Sequence, residues 1–172
     1  MTISFKSKLS KVKTRQIITI PSNLSDQLPS RGMVMVQGTI NDVTFKAPLE
    51  PDGKGSHWLE ISHSLSEKLG VSVNDTLSLN IEPIDKWIEP NISEDIMDAI
   101  IKADVLEQWN STTTKARWDW IRWIRSTTNP ETRKKRIDVA CSKLLKGDKR
   151  PCCFDRSRCT ITDVSRSGVL LD

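Results

Sequence analysis

Alternating apolar and polar positions dominate the first half of the chain. Phe5, Ser7 and Leu9 alternate with Lys6, Lys8 and Ser10, which is the period of a strand with one face in a core. A second run, Gln16-Ile17-Ile18-Thr19-Ile20, follows the basic stretch 11–15, and the two runs are expected to pair across that turn. Further strands are predicted over Met33–Ile40, Val43–Leu49, Trp58–Ile61 and Thr76–Glu82. Asn41-Asp42 suits a tight hairpin, and Pro51-Asp52-Gly53-Lys54-Gly55 supplies glycines where a turn needs positive φ. Two short helical turns interrupt the strands. Ser22 or Asn23 caps one that ends at Leu28; Ser62 or Ser64 caps Leu65–Leu69, with Gly70 as its left-handed terminator.

The pattern occurs twice. Ile20, Leu24 and Leu28 match Ile61, Leu65 and Leu69 at an offset of 41, and the leading strand at Phe5 matches that at Phe45 at an offset of 40. A unit of about 40 residues buries too little surface to offset its chain entropy. The copies must therefore close on each other, which predicts one small duplicated β-barrel of six to seven strands with pseudo-twofold symmetry over residues 1–84.

Beyond a linker at 85–91 the apolar period becomes that of a helix. Ser93, followed by Glu94 and Asp95, marks a start, and Ile96, Met97, Ile100 and Ile101 form a stripe that continues to Val105, Leu106 and Trp109. Ser111-Thr112-Thr113-Thr114 caps a second helix carrying Ala116, Trp120, Trp123 and Ile124 on one face. Asn129-Pro130-Glu131 opens a third, with Ile137, Ala140, Cys141, Leu144 and Leu145 at helical spacing before Gly147. The fold class read from these patterns is α+β: the barrel, then a three-helix module at 92–146. Residues 147–172, poor in apolar anchors, are expected to be extended or partly disordered.

Composition sharpens this picture in three ways. With 172 residues and 37% hydrophobic content the chain can bury a real core, and no run of about 18 apolar residues offers a membrane span. The start of the chain lacks the apolar stretch of a secretory signal, so a cytoplasmic location is expected. Charge is uneven: residues 1–85 carry 9 Lys/Arg against 9 Asp/Glu, whereas 115–150 carry 12 against 4. That basic, tryptophan-rich stretch is expected to meet an anionic partner, whether protein, nucleic acid or envelope component.

The candidate binding residues are Arg117, Trp118, Arg122 and Arg125, where guanidinium and indole groups alternate, and Arg133 and Arg136 beside the Pro130 helix start. The competing reading makes them a core stripe with basic flanks, and makes Asn129 and Glu131 simple caps. Cys141, Cys152, Cys153 and Cys159 have the thiolates for a zinc site, but no Cys-x-x-Cys pair exists and adjacent cysteines rarely reach one tetrahedral ion. No metal or cofactor is expected, and the thiols are read as mostly reduced. A redox-reactive pair favoured by Lys149, Arg150, Arg156 and Arg158 is the alternative. His57 and His63 have no nucleophile or carboxylate that sequence places beside them, so no hydrolytic triad is supported.

Two resemblances follow from quoted residues. The stretch from Ile61 to Leu77, with Leu69-Gly70-Val71 and Asn74-Asp75, resembles one unit of the AbrB/MazE-type swapped-hairpin transcription factors, which implies a DNA-binding barrel built here from one chain. Arg117-Trp118-Asp119-Trp120-Ile121-Arg122-Trp123-Ile124, followed by Asn129-Pro130-Glu131-Thr132-Arg133, resembles the YdeI/OmpD-associated, or bacteriocin-protection, family. Arg31-Gly32, Gly38-Thr39-Ile40 and Pro51-Asp52-Gly53 are similar to the uncharacterised barrel domain that often precedes that module. The resemblance implies a link to envelope stress and antimicrobial-peptide resistance, and the chain is read as a non-enzymatic binding or stress-protection protein, monomeric or weakly oligomeric. A DNA-binding regulator is the first alternative, and an enzyme or small-ligand binder using the barrel interior is the second.

Overall fold

The structure, a computed structural model, describes residues 1–172. The chain divides into two compact units. One comprises Met1–Lys86 with Arg156–Cys159 and Asp163–Asp172, the other Trp87–Asp155 with Thr160–Thr162.

The first unit is a curled antiparallel sheet of seven strands: β1 (Ile3–Lys8), β2 (Ser10–Val12), β3 (Arg15–Thr19), β4 (Val34–Ile40), β5 (Val43–Pro51), β6 (His57–Ile61) and β7 (Thr76–Pro83). Their order is β1-β7-β4-β5-β6-β3-β2. The expected pairing of the first strand with the run at Gln16 is corrected in part. β3 pairs with β2, whereas β1 crosses to β7. The closed barrel is also corrected: β1 and β2, at the two ends of the order, are not laddered to each other. They are successive pieces of chain meeting at the fully buried Leu9, so the sheet is an open, curled one.

The duplication is written into the registers. In the β3–β6 ladder Ile18 faces Leu59, and in the β4–β7 ladder Thr39 faces Asn80; both pairs are 41 residues apart, the offset of the repeat. Exchanging the copies maps each ladder onto itself. Phe5 faces Leu79, and its counterpart Phe45 faces Gly38, which lies 41 residues before Leu79. One core cluster holds side chains of both copies, including Ile18, Leu59, Leu49, Leu9, Val36 and Leu77, with Leu24 and Leu65 packed against it.

The connecting turns follow local chemistry. Asn41 and Asp42 both take positive φ, 46° and 67°, in the β4–β5 hairpin. Helix α2 (His63–Leu69) is capped by the Ser62 hydroxyl, which accepts from the Leu65 N–H, and ends at Gly70 with φ 64°. The expected side-chain cap on α1 (Ser22–Ser25) is absent: Pro21 occupies that place and has no hydroxyl to offer.

The second unit contains four helices rather than three: α3 (Glu94–Lys102), α4 (Leu106–Ser111), α5 (Thr114–Arg125) and α6 (Pro130–Leu145). The first predicted helix is split because Asp104 turns left-handed at φ 56°. The Val105 N–H then bonds the Ile100 carbonyl and the Asp104 N–H that of Ile101. This is a Schellman ending with aspartate where glycine is usual. The apolar stripe runs on because Val105, fully buried, packs into the same core as Ile100. The Thr113 hydroxyl caps α5 and the Asn129 amide oxygen caps α6, as the sequence indicates.

The tail, expected from sequence to be extended or partly disordered, is mostly irregular chain and ends in a short hairpin. β8 (Ser165–Arg166) and β9 (Val169–Leu170) form a hairpin over Ser167 and Gly168, both with positive φ. The Leu170 N–H bonds the Asp52 carbonyl, and Asp163 pairs with Arg15 at 2.7 Å. Gly53 lies so close to Gly168 that a Cβ would overlap its carbonyl oxygen.

Close approach also fixes Gly38, where a Cβ would overlap the Asn80 backbone carbonyl in the β4–β7 ladder. Gly38→Ala is expected to lower unfolding free energy by about 3 kcal/mol, because rigid backbone must move. Gly70→Ala, with open space around it, is expected to cost only about 1 kcal/mol through its left-handed φ. Urea titration of both variants checks the contrast; equal losses would contradict the close-approach argument.

Candidate functional site

The six predicted binding residues all lie on α5 and α6, but they do not present one open face. Arg117 places its guanidinium against both Glu89 carboxylate oxygens, at 2.9 and 2.6 Å. It also donates to the Thr112 carbonyl, which α4 leaves unpaired at its end. Its side chain is 13% exposed. Trp118 is buried and donates its indole N–H to the Ile88 carbonyl at 2.7 Å. Arg122 is buried, with its guanidinium carbon 5.5 Å from the Phe154 ring centre. Arg125 donates to the Thr160 hydroxyl at 3.0 Å.

The pair on α6 is occupied in the same way. Arg133 donates to both Asp95 oxygens, at 2.8 and 3.0 Å, and to the Ser93 hydroxyl at 2.9 Å. The Arg133 bonds hold the Asp95 carboxyl far below the usual carboxylate range. Glu89 is likewise pulled down, chiefly by Arg117. Arg136 donates to the Trp123 carbonyl at 2.9 Å and the Ser126 hydroxyl at 2.8 Å, and it stacks over the Trp123 ring at 5.6 Å. These arginines close helix ends and join segments of the unit. Bidentate geometry and planar stacking explain why arginine rather than lysine stands at each position.

In the first unit a buried serine and histidine meet. The Ser25 hydroxyl lies 2.7 Å from His57 Nδ1, and His57 Nε2 lies 2.7 Å from the Gly32 carbonyl. A carbonyl only accepts, so Nε2 carries the proton and Nδ1 accepts from Ser25. Burial pushes the imidazole below its ordinary value. Ser25 and His57 are 0% and 1% exposed, and the sheet interior is filled by its apolar cluster. The pair therefore has no access to a substrate and ties α1 to β6. Arg31 reinforces it, donating to the Ser25 carbonyl and the Gly55 carbonyl.

The first unit also carries two surface depressions. One of about 520 Å³ opens beside Gly38 between Gln37, Lys46 and Glu82. One of about 340 Å³ surrounds Arg15, whose charge is matched by Glu60 and Asp163, each at 2.7 Å. No three His, Cys, Asp or Glu side chains gather as a metal-ligand set. Cys141 and Cys159 are buried thiols outside any disulfide, whereas Cys152 and Cys153 are joined as a disulfide. The reading of mostly reduced thiols holds for Cys141 and Cys159, and the alternative of a bonded pair holds for the two adjacent cysteines. No helix is long and apolar enough to cross a membrane.

Residues 5–81 match a domain of unknown function, DUF1905, and residues 89–147 match the family described as bacteriocin-protection, YdeI or OmpD-associated. The chain joins a DUF1905 domain to a YdeI/OmpD-associated domain. A comparison with curated proteins finds no match.

In and just after the YdeI/OmpD-associated domain the outward cations are ones that sequence reasoning counted in the basic stretch but did not single out as binding residues. Lys134, Lys135 and Lys146 are exposed on or just past α6, and Lys149 and Arg150 follow, also exposed. Lys135 sits opposite Ile137, Ala140, Cys141 and Leu144, the buried stripe of α6, and Lys134 lies on the flank of that stripe. The signal was present in the same helical period that located the core.

Arg117→Ala is expected to lower the unfolding free energy by about 2 kcal/mol, since it strands Glu89 and the Thr112 carbonyl. Lys134→Ala should stay within about 0.5 kcal/mol. Denaturant titration that found the two alike would contradict the assignment. For His57 the sign is fixed by its lowered pKa. The unfolded chain binds a proton near the ordinary value of 6.5 that the folded protein refuses, so its stabilisation is complete above that pH and is lost as pH falls through the window below it. Thermal melts on descending from pH 7.5 should show this loss, and His57→Gln should flatten that part of the profile.

Proposed function

We propose that the chain is a non-enzymatic binding protein with a protective role, and that its YdeI/OmpD-associated domain meets an anionic partner through the outward cations of α6 and the segment after it. The family description, which names bacteriocin protection, supports the role. The observation that carries the surface is the division of labour among cations. Arg117, Arg133 and Arg136 are spent on internal hydrogen bonds, while Lys134, Lys135, Lys146, Lys149 and Arg150 point to solvent. Exposed lysines lose little hydration in a loose electrostatic contact, which suits a partner recognised by charge.

A second reading is a DNA-binding regulator. The exchange of strands between the two repeats supports a fused swapped-hairpin barrel, and Lys6, Lys8, Lys11 and Lys13 are exposed on it. Arg15 no longer contributes, because Glu60 and Asp163 neutralise it.

Titration with fluorescein-labelled duplex DNA and with phosphatidylglycerol vesicles, at 50 and 200 mM salt (about a twofold change in Debye length), separates the readings. Salt-sensitive binding weakened about tenfold or more by Lys134→Glu with Lys135→Glu supports the α6 surface. DNA binding that survives that pair but falls with Lys6→Glu and Lys8→Glu supports the barrel. Absence of binding to either probe at low salt counts against both.

A further inference from the structure

The segment after α6 carries chemistry that the binding reading does not use. Cys152 and Cys153 are both exposed and are bonded to each other, while Cys141 and Cys159 are buried and stand outside any disulfide. The chain on either side is fastened to α5. The Trp120 indole N–H donates to the Lys149 carbonyl at 3.0 Å, Pro151 is buried, and Phe154 lies under the Arg122 guanidinium. Cys153 takes a left-handed φ of 61°, which turns the chain between those anchors. The two sulfurs therefore sit on a short exposed arch held at both ends.

Exposure favours reaction at this arch. Both cysteines are open to solvent, and the exposed Lys149 and Arg150 just before them would attract an incoming thiolate. The opposite holds for Cys141, whose thiol burial pushes up, so it stays protonated and inert. Four cysteines in one chain are thus sorted by environment into one accessible pair and two sequestered thiols.

We propose that Cys152 and Cys153 form a reversible thiol–disulfide site that exchanges with an external dithiol, of a small molecule or of a partner protein. In the reducing direction a thiolate of that dithiol attacks one sulfur of the pair. The Cys152–Cys153 bond breaks, a mixed disulfide forms, and the other cysteine leaves as a thiolate. The second thiol of the external dithiol then attacks the mixed disulfide and releases the remaining cysteine. Two electrons and two protons end on Cys152 and Cys153, and the external dithiol becomes a disulfide. In the oxidising direction an external disulfide of the same class takes those electrons back. The two-residue ring that holds the arch exists only in the oxidised form, so the Lys149 and Phe154 contacts with Trp120 and Arg122 loosen on reduction.

The test equilibrates the full chain in buffers of reduced and oxidised dithiothreitol of varied ratio, quenches by acid, and reads intact mass, peptide mapping and the thiol count after denaturation. The expected result is a reversible mass difference of about 2 Da between two and four titratable thiols, since one disulfide stores two hydrogens. Mapping should place it on the peptide holding Cys152 and Cys153. Cys141→Ala should retain the transition, and Cys152→Ser should abolish it while the far-ultraviolet spectrum stays folded. Reduction should also raise amide exchange at 149–154 several-fold in the parent and not in Cys152→Ser. Four thiols at every ratio, a bridge mapping to any other pair, or unchanged exchange on reduction overturns the proposal. Because none of these readouts involves an anion, failure here leaves the charge-based reading untouched, and the converse holds.

Discussion

The antiparallel exchange between the two repeats is the constraint on which the first unit depends. β1 of the first copy is laddered to β7 of the second, and β5 of the second to β4 of the first. Two further ladders, β3–β6 and β4–β7, also cross between copies. A repeat taken alone would leave these backbone groups unpaired and the faces of Ile18, Leu59 and Leu77 open to water. Joining the copies in one polypeptide satisfies both demands without a second subunit. It also allows the two halves to diverge: Leu79 fills its place in the core, while its counterpart Gly38 has given up its side chain to let β7 approach.

In the second unit the work done by backbone ladders falls to arginine. The four helices share an apolar cluster, yet their ends and the incoming strand of chain are tied by Arg117, Arg133 and Arg136. Each guanidinium satisfies carbonyls or carboxylates that would otherwise cost free energy at a half-buried helix end. The basic character of the domain consequently overstates the charge it offers to a partner. What reaches solvent is set by which cations lack an internal acceptor, and those are mainly lysines.

The strand periods, the repeat and the turn residues were legible because each rests on short-range chemistry: Asn41-Asp42 and Gly70 can do little else. The strand crossing of β1 was not legible, since alternation places Phe5 and Leu9 on a face without naming their neighbour. Nor was the break at Asp104, where the apolar stripe continues across a left-handed residue. For the site, the residue types were visible and their use was not. Arg133 reads the same in sequence whether it waits for a ligand or holds Asp95, and only the distance decides. The anchors of the tail were not legible, because they are backbone groups and small residues, Gly53 against Gly168 and Leu170 against Asp52, which leave little trace in hydropathy.

The docked hairpin has a consequence for biosynthesis. Strand β1 emerges first, but its partner β7 follows some seventy residues later, so the ribosome must release most of the first unit before β1 can be paired. Val169 and Leu170 emerge later still, after the whole helical domain, and they complete the loop at Asp52 that was made far earlier. The domain synthesised first is therefore the last to be finished, and until then the Asp52 carbonyl in its loop lacks the Leu170 partner.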